Sequence, residues 1–472
     1  MKRTCMKSRE TDFTTGKPSK LILSFYWPLL MTSMLQQFYN FADTWIVGKG
    51  LGDNALAAVG NMGSLFFLIV GFSFGIANGF GVLVAQSYGA GDPGKLKRRI
   101  AAVIELGSVI SVLLSLLSVV FLPYALRLLQ TNEVIMGDSL KYGYIVFGGL
   151  ATGICYNISG AVLRALGDSK TPLKAIVISS VLNVSLNCVF IFGMKMGVEG
   201  VAIATIISQI ISAAFCLNRL RQMPVIKLEK QHFYNERKVY TELLANGLPM
   251  AFMNSITAVG CMVVQYFVNG YGVVYTAAYA ACSKYLNLFM NPASTAGNAM
   301  SAYTSQNYGA GKYGRIREGL KVSLSISAVS YIILGSLMVF FPRTLAGILL
   351  SGSEQIRLAC LFMPRCGFML IFVDALFVVR NCVQGMGKPM LPMASGILEM
   401  VLRVFVISFF MGRIGFAATA YAEISAWVGA LVVNAYALAK YLMPLLEQEG
   451  TERKENLSLT GGRWRHRYHG TL

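Results

Sequence analysis

Histidine is nearly missing: the chain has three, His232, His466 and His469, all in polar stretches. A buried histidine metal or catalytic centre is thereby excluded. The nine cysteines include no C-x-x-C pair, and most lie inside apolar segments, where cysteine is a small packing residue without a metal or redox role. Charge is scarce as well, at 13% of residues against 55% hydrophobic. A soluble chain of 472 residues cannot hide that much apolar surface. A bilayer can. The enzyme patterns HExxH and the Walker loop do not occur. Acidic residues are fewer than basic ones, 22 against 41, for a net charge of +19. On a soluble protein this excess reads as a nucleic-acid footprint. Here the basic residues sit in short runs between apolar stretches, where they set membrane orientation, so no nucleic-acid partner is expected and the bilayer is.

What the chain does have is apolar stretches long enough to cross roughly 30 Å of hydrocarbon. They fall near 21–47, 55–87, 100–122, 139–162, 172–192 and 198–218, then near 241–268, 274–305, 319–341, 358–385, 389–411 and 415–442. The first is too long for a signal-peptide core and lacks a small-residue cleavage site, so it reads as a retained helix. The expected fold is an all-α integral membrane protein of about twelve spanning helices. It divides into a segment 1–20, a first lobe 21–218, a linker 219–240, a second lobe 241–442 and a tail 443–472. The tail, polar from Glu447 and ending in Arg463-Trp-Arg-His-Arg-Tyr468, reads as disordered.

Loop charges check the count. Alternate loops carry Lys95, Lys97, Arg98 and Arg99; Arg164, Lys170 and Lys174; Arg219 to Lys238; Lys312, Arg315, Arg317 and Lys321; and Lys388. The intervening loops hold only Lys49, Arg127, Lys141, Lys195, Arg343, Arg357 and Arg413. The bias never slips phase, which places both termini on the cytoplasmic side of a bacterial inner membrane.

An internal repeat organises the whole. Gln86-Ser-Tyr-Gly-Ala-Gly91 returns as Gln306-Asn-Tyr-Gly-Ala-Gly311, and at the same offset Gly167 and Pro172 answer Gly387 and Pro392. Pro28 answers Pro249 with one residue of slip. An even number of helices separates the copies, so the halves are parallel repeats facing each other across a central cavity. Two matches to G-x-G-x-x-G, at Gly89 and Gly309, lack the preceding strand a dinucleotide site requires. They read as helix-ending turns. So does Asn269-Gly-Tyr-Gly272, which has neither the length nor the copy number of an ion filter.

Polar residues inside spans are costly and so demand a reason. Ser33, Gln36, Asn40 and Asp43 form one stripe on the first helix. The seventh repeats it as Asn254, Thr257 and Cys261, with Val264 where Asp43 stands and Gln265 beyond. Both stripes are expected to line the cavity. Asp43 is an acid that only one half carries, and a proton or cation would neutralise it, which is how a carboxylate couples ion flow to a conformational change. Asn183, Asn187 and Thr205 offer uncharged oxygens beside it. On the second half, Lys284, Asp374 and Arg380 are assigned to the substrate cavity, Lys284 being either a partner for Asp374 or a filter on the charge of what enters. Glu399 and Arg403, four apart on one helix, are read as a structural ion pair. Glu105 and Glu423, nearer helix ends, are expected to reach toward water.

These features resemble the multidrug and toxic compound extrusion (MATE) family of the lipid and oligosaccharide exporter superfamily. The resemblance covers about residues 20–442. It rests on Pro28, Asn40-Phe-Ala-Asp43-Thr, Val47-Gly48, Ala57-Ala-Val-Gly60, the two Gln-x-Tyr-Gly-Ala-Gly segments, Arg164-Ala-Leu-Gly167 with Thr171-Pro172, and Gly200-Val-Ala-Ile-Ala-Thr205. It implies a V-shaped pair of six-helix lobes that exports amphipathic, often cationic molecules against inward proton or sodium flow, with no cofactor and no enzymatic step; the chain is read as a monomer. Asp43 matches the family's first-helix acid, Asp374 its tenth-helix acid, and Asn183 the asparagine of its first-lobe cation site. Asn187 stands where many members carry aspartate, and Thr257 lies near a glutamate that some members have. A site with one carboxylate argues against tight sodium binding and for protons. A flippase for lipid-linked saccharides is the alternative, since Lys284, Arg380 and Arg403 offer cations for a pyrophosphate.

Overall fold

A computed structural model describes residues 11–129, 131–234 and 236–465, with their side chains except at 53, 64 and 452–465. The basic residues at 2–9 and the last histidines, His466 and His469, lie outside that range. The first half runs α1 (Pro18–Leu51), α2 (Asp53–Ala90), α3 (Pro93–Leu128), α4 (Glu133–Gly148), α5 (Leu150–Ala165), α6 (Lys170–Cys188) and α7 (Val198–Gln222). Two 3-10 turns, Pro224–Ile226 and Lys230–Phe233, occupy the linker. The second half runs α8 (Arg237–Asn269), α9 (Val273–Gly309), α10 (Tyr313–Phe340), α11 (Pro342–Leu349), α12 (Ser353–Gly385), α13 (Met390–Ile414) and α14 (Ala417–Arg465).

Among the described residues, nine helices are long and apolar enough to cross a membrane. The pair α4 and α5 makes a tenth span bent by 44°, at the glycine pair Gly148-Gly149, where two residues without side chains weaken the helix. The remaining two, α1 and α9, have ample length but too many polar residues, because they carry the stripes of Ser33 to Asp43 and of Lys284 to Asn291. Outer surfaces of α3 and α10 are the opposite, with Val112, Leu116, Val120, Ile332 and Ile333 all exposed, as a lipid-facing surface requires.

The repeat read from sequence governs the packing. In the first half α1 packs on α6, α6 on α7, α2 on α5 and α3 on α5; in the second, α8 packs on α13, α13 on α14, α9 on α12 and α10 on α12. The lobes also exchange their leading turns. Phe25, Tyr26 and Leu29 of α1 are buried with Ala299, Tyr303 and Val378 of the second half. Leu243 and Ala251 of α8 are buried with Ile76, Phe80 and Val84 of the first. Pro28 and Pro249 lie inside α1 and α8 near these crossings, and an internal proline breaks the backbone ladder and lets a helix bend.

Two segments differ from the sequence reading. Residues 11–17, read only as part of an N-terminal segment, form a strap: Thr11 N donates to Gly167 O (3.2 Å) in one lobe, and Phe13 N donates to Gln306 Oε1 (3.0 Å) in the other. The phenyl ring of Phe13 is fully buried against Phe25 and Tyr303. The tail expected to be disordered instead prolongs α14 to Arg465, and Glu449 Oε2 accepts from Gly314 N (2.6 Å) at the start of α10. That start has unpaired backbone donors, which a carboxylate satisfies.

Candidate functional site

The acid of the first helix sits against α6 and α7. Asn187 Nδ2 donates to Asp43 Oδ1 (2.6 Å) and to Asn183 Oδ1 (2.9 Å). Asn183 Nδ2 donates to Thr205 Oγ1 (3.4 Å), whose hydroxyl returns to Val201 O (3.0 Å). The four residues expected to hold a cation are thus one hydrogen-bonded chain. Asn183 and Asn187 are fully buried, whereas Asp43 is half-buried. Asn187 Oδ1 is buried without a partner among the described residues, a spare acceptor beside the carboxylate. Tyr39 lies beside Thr205, and Tyr39 and Tyr142 are within electrostatic reach of Asp43. Immediately after Asn187 and Cys188 the helix widens into a π turn, Val189–Gly193, a distortion that often accompanies functional sites. Its sequence, Val-Phe-Ile-Phe-Gly, gives no local signal of it.

The stripes meet the opposite lobe at one level. Ser33 Oγ donates to Asn291 Oδ1 (2.6 Å), and Asn254 Nδ2 donates to Gly71 O (3.1 Å). Ser33 and Asn254 are repeat mates, and so are Gly71 and Asn291, so this is one contact made twice. Between that level and the loops rich in Lys and Arg, hereafter the basic face, the lobes interlock. Gln86 Nε2 donates to Gly385 O (3.2 Å), and its repeat mate Gln306 Nε2 donates to Ala165 O (2.8 Å). A Cβ on Gly89 would stand 1.9 Å from Gln306 O, and one on Gly309 would stand 2.0 Å from Gln86 O. Only glycine allows the crossing. Gly91 and Gly311 end their helices with φ near 68°, as expected of the repeated motif, but the interlobe role of its glutamines and first glycines was not read from sequence. The signal was the repetition itself.

On the other side of the Ser33 level, no hydrogen bond or ion pair joins the lobes among the described residues. Gln36 and Asn40 are exposed there. Thr257 on α8 is partly buried, its hydroxyl without a partner, and Gln265 Nε2 donates along its own helix to Asn269 Oδ1 (2.6 Å). The molecule is therefore closed at the basic face and parted at the other.

Two residues assigned to the cavity lie elsewhere. Arg380 is buried and binds Glu399 Oε1. Glu399 also reaches Arg403 (3.6 Å), and Arg403 Nε pairs with Glu423 Oε2 at 3.1 Å. The pair Glu399–Arg403 is present, but as the middle of a four-residue network. Glu423 is buried rather than turned to water, because Arg403 on the neighbouring helix satisfies it. Asp374 is 1% exposed and neither carboxylate oxygen has a partner among the described residues. It lies near Tyr26, on the closed side of the Ser33 contact, and Lys284 is not its partner. Lys284 is exposed.

Three comparisons bear on this arrangement. The MatE family model matches residues 28–189 and 249–409, one copy in each half. Among curated proteins, the probable multidrug resistance protein YoeA of Bacillus subtilis (strain 168) is 29% identical over 367 residues, 75% of this chain and 79% of that protein. The probable multidrug resistance protein YpnP of the same organism is 28% identical over 422 residues, 89% of this chain and 91% of that one. Among solved structures, one described as MATE in the bent conformation superposes with a TM-score of 0.87 at 19% identity, over 94% of this chain and all of the other. At that identity the likeness speaks for the fold alone.

Proposed function

The chain belongs to the MatE family, a family of multidrug-type transporters, and from that premise we propose that it is a cation-coupled antiporter exporting amphipathic small molecules, with Asp43 as the coupling carboxylate. The observation that carries this reading is the hydrogen-bonded chain Asp43–Asn187–Asn183–Thr205 in a molecule whose lobes interlock at the basic face. A proton is the coupling ion this chain fits best. Ionised Asp43 accepts from Asn187 Nδ2 at Oδ1; a proton placed on that oxygen makes it a donor, and Asn187 then turns its amide to offer Oδ1, the acceptor without a partner among the described residues. That rotation removes the donor from Asn183. One proton therefore rearranges contacts among α1, α6 and α7.

The consequence travels along α1, which carries Asp43, the cavity residues Gln36 and Asn40, and the interlobe contact at Ser33. A bend of α1 at Pro28 in response to protonation alters the cavity wall and the lobe closure together. Proton and substrate then compete through the shape of one helix. Each inward charge supplies about 2.3 kcal/mol per 100 mV. The membrane is read as the bacterial plasma membrane, with the basic face cytoplasmic by its loop charges.

The flippase alternative keeps only Lys284 of its three cations, because Arg380 and Arg403 are bound to Glu399 and Glu423 and are not free to hold a pyrophosphate. The test is efflux from proteoliposomes with pH and sodium gradients imposed separately, comparing wild type with Asp43→Asn at equal protein. Export driven by the pH gradient and lost in the variant is expected. Undiminished export by Asp43→Asn removes the acid from the mechanism.

A further inference from the structure

On α9 the residues Cys282, Tyr285, Leu286 and Phe289 are buried in the core of the second lobe. Lys284 and Asn287 lie on the opposite side of the helix and are exposed. Asn291 fixes where that side points. It is seven residues from Lys284, two turns along the same face, and it accepts the Ser33 hydroxyl from α1 of the other lobe. The face of α9 bearing Lys284 is therefore turned toward the first lobe, not toward lipid.

Direction along the helices adds the depth. α1 begins at the basic face and α9 ends there, so stepping from Ser33 to Asn40 and from Asn291 to Lys284 moves the same way, roughly 10 Å in each case. This is the parted region. Across from Lys284 stand the exposed amides Gln36 and Asn40. Phe67, the repeat mate of Asn287, is 64% exposed on α2.

No acid among the described residues answers Lys284. Asp374 is level with residue 294, since Gly297 of α9 packs against Phe377 O of α12, and that is about ten residues or roughly 15 Å from Lys284 along parallel helices. Glu399 and Glu423 serve Arg380 and Arg403. Asp43 is held by Asn187 on the α6 side of its helix. Lys284 has no ion pair or hydrogen bond among the described residues. An ammonium at membrane depth without a counter-charge is costly, and an anionic group from outside relieves it.

Resting on the reading of this cavity as the transport site, we propose that Lys284 seats a single anionic group of the substrate, so that the transported molecules are amphipathic acids carrying one carboxylate or sulfonate. A lysine is a point charge with three donors; alone it suits a monoanion, with the amides of Asn287, Gln36 and Asn40 for neighbouring polar atoms and an aromatic wall for the apolar body. The preference concerns what binds, whereas the ion at Asp43 concerns what drives.

The experiment uses dansyl-phenylalanine, a monoanion, and its neutral carboxamide, which differ only at the acid. Binding of both is measured by fluorescence anisotropy to the full-length protein in nanodiscs, for wild type, Lys284→Met, Lys284→Arg and Lys284→Glu, together with export in proteoliposomes. Wild type should bind the acid about tenfold more tightly than the amide, the weight of one charged hydrogen bond. Lys284→Arg should keep the preference, Lys284→Met abolish it and Lys284→Glu invert it. Equal affinity of wild type for the two probes, including no binding of either, or a preference that survives in Lys284→Met, overturns the proposal. The two readings fail separately. Lys284-dependent binding without export on any gradient sinks the antiporter and leaves this site, whereas coupled export with acid and amide handled alike does the reverse.

Discussion

At the residue scale the candidate cation pocket was legible from chemistry and its wiring was not. Asp43 declared itself as an acid inside a span, and Asn183, Asn187 and Thr205 as oxygens on nearby helices. What no sequence spacing reveals is that Asn187 bridges Asp43 and Asn183 with one amide nitrogen while its oxygen stays unpaired. That orphan oxygen decides how the pocket responds to substitution. Asn187→Asp puts a second carboxylate beside Asp43 and removes the donor that satisfies it. Two adjacent acids favour a bound cation over two separate charges. The variant should gain a response to an imposed sodium gradient at fixed pH that wild type lacks, read as initial export rate. Asn187→Leu should instead lose coupled export by about tenfold or more, the cost of one lost charged hydrogen bond. Arg380 was misplaced at this scale for a simple reason. Its spacing from Asp374 could be judged within one helix, but its partner Glu399 is on another.

At the element scale, helix existence was read from apolar length, and every expected span has a helix. Three details escaped. The break at Gly148-Gly149 had a visible glycine pair but lay within one apolar run. The π turn after Cys188 had no signal. The strap of residues 11–17 is held by tertiary partners that only the folded bundle brings together. The crossing of α2 and α9 at the basic face carries the clearest consequence. Gln306 donates to the other lobe through Nε2 while Oε1 receives the strap at Phe13, so it holds two connections, whereas Gln86 holds one to Gly385. Gln306→Ala should therefore open the basic face more readily than Gln86→Ala. Gly309→Val should open it further, because its Cβ collides with backbone, not a flexible side chain. A cysteine at Ala165 in a chain whose nine native cysteines are replaced, probed with a membrane-impermeant maleimide from the basic side, measures the opening. Labelling of Gly309→Val no faster than the parent would mean the crossing does not keep that face shut.

At the scale of the whole molecule, the two halves share a frame and differ in where they place charge. Arg403 stands at the repeat position of Asn183, by the offset that relates Gln86 to Gln306, and Val264 stands where Asp43 does. In the first lobe the pocket between α1, α6 and α7 has one acid and no built-in cation. In the second, the matching pocket between α8, α13 and α14 has acids from α13 and α14 and a guanidinium tethered between them. A tethered cation cannot exchange, so the second lobe should be passive toward the coupling ion and its network should serve stability. Breaking such a buried pair by removing one partner costs about 3–5 kcal/mol, whereas removing both partners is often near neutral. Arg403→Met should thus lower the thermal unfolding midpoint sharply by stranding Glu423. Adding Glu423→Leu to Arg403→Met should recover most of the loss. Folded protein of the double variant should export with the wild-type number of protons per substrate, measured from reversal potentials in proteoliposomes. A changed ratio would mean that the second lobe takes part in coupling and that the asymmetry of the repeat has been read the wrong way round.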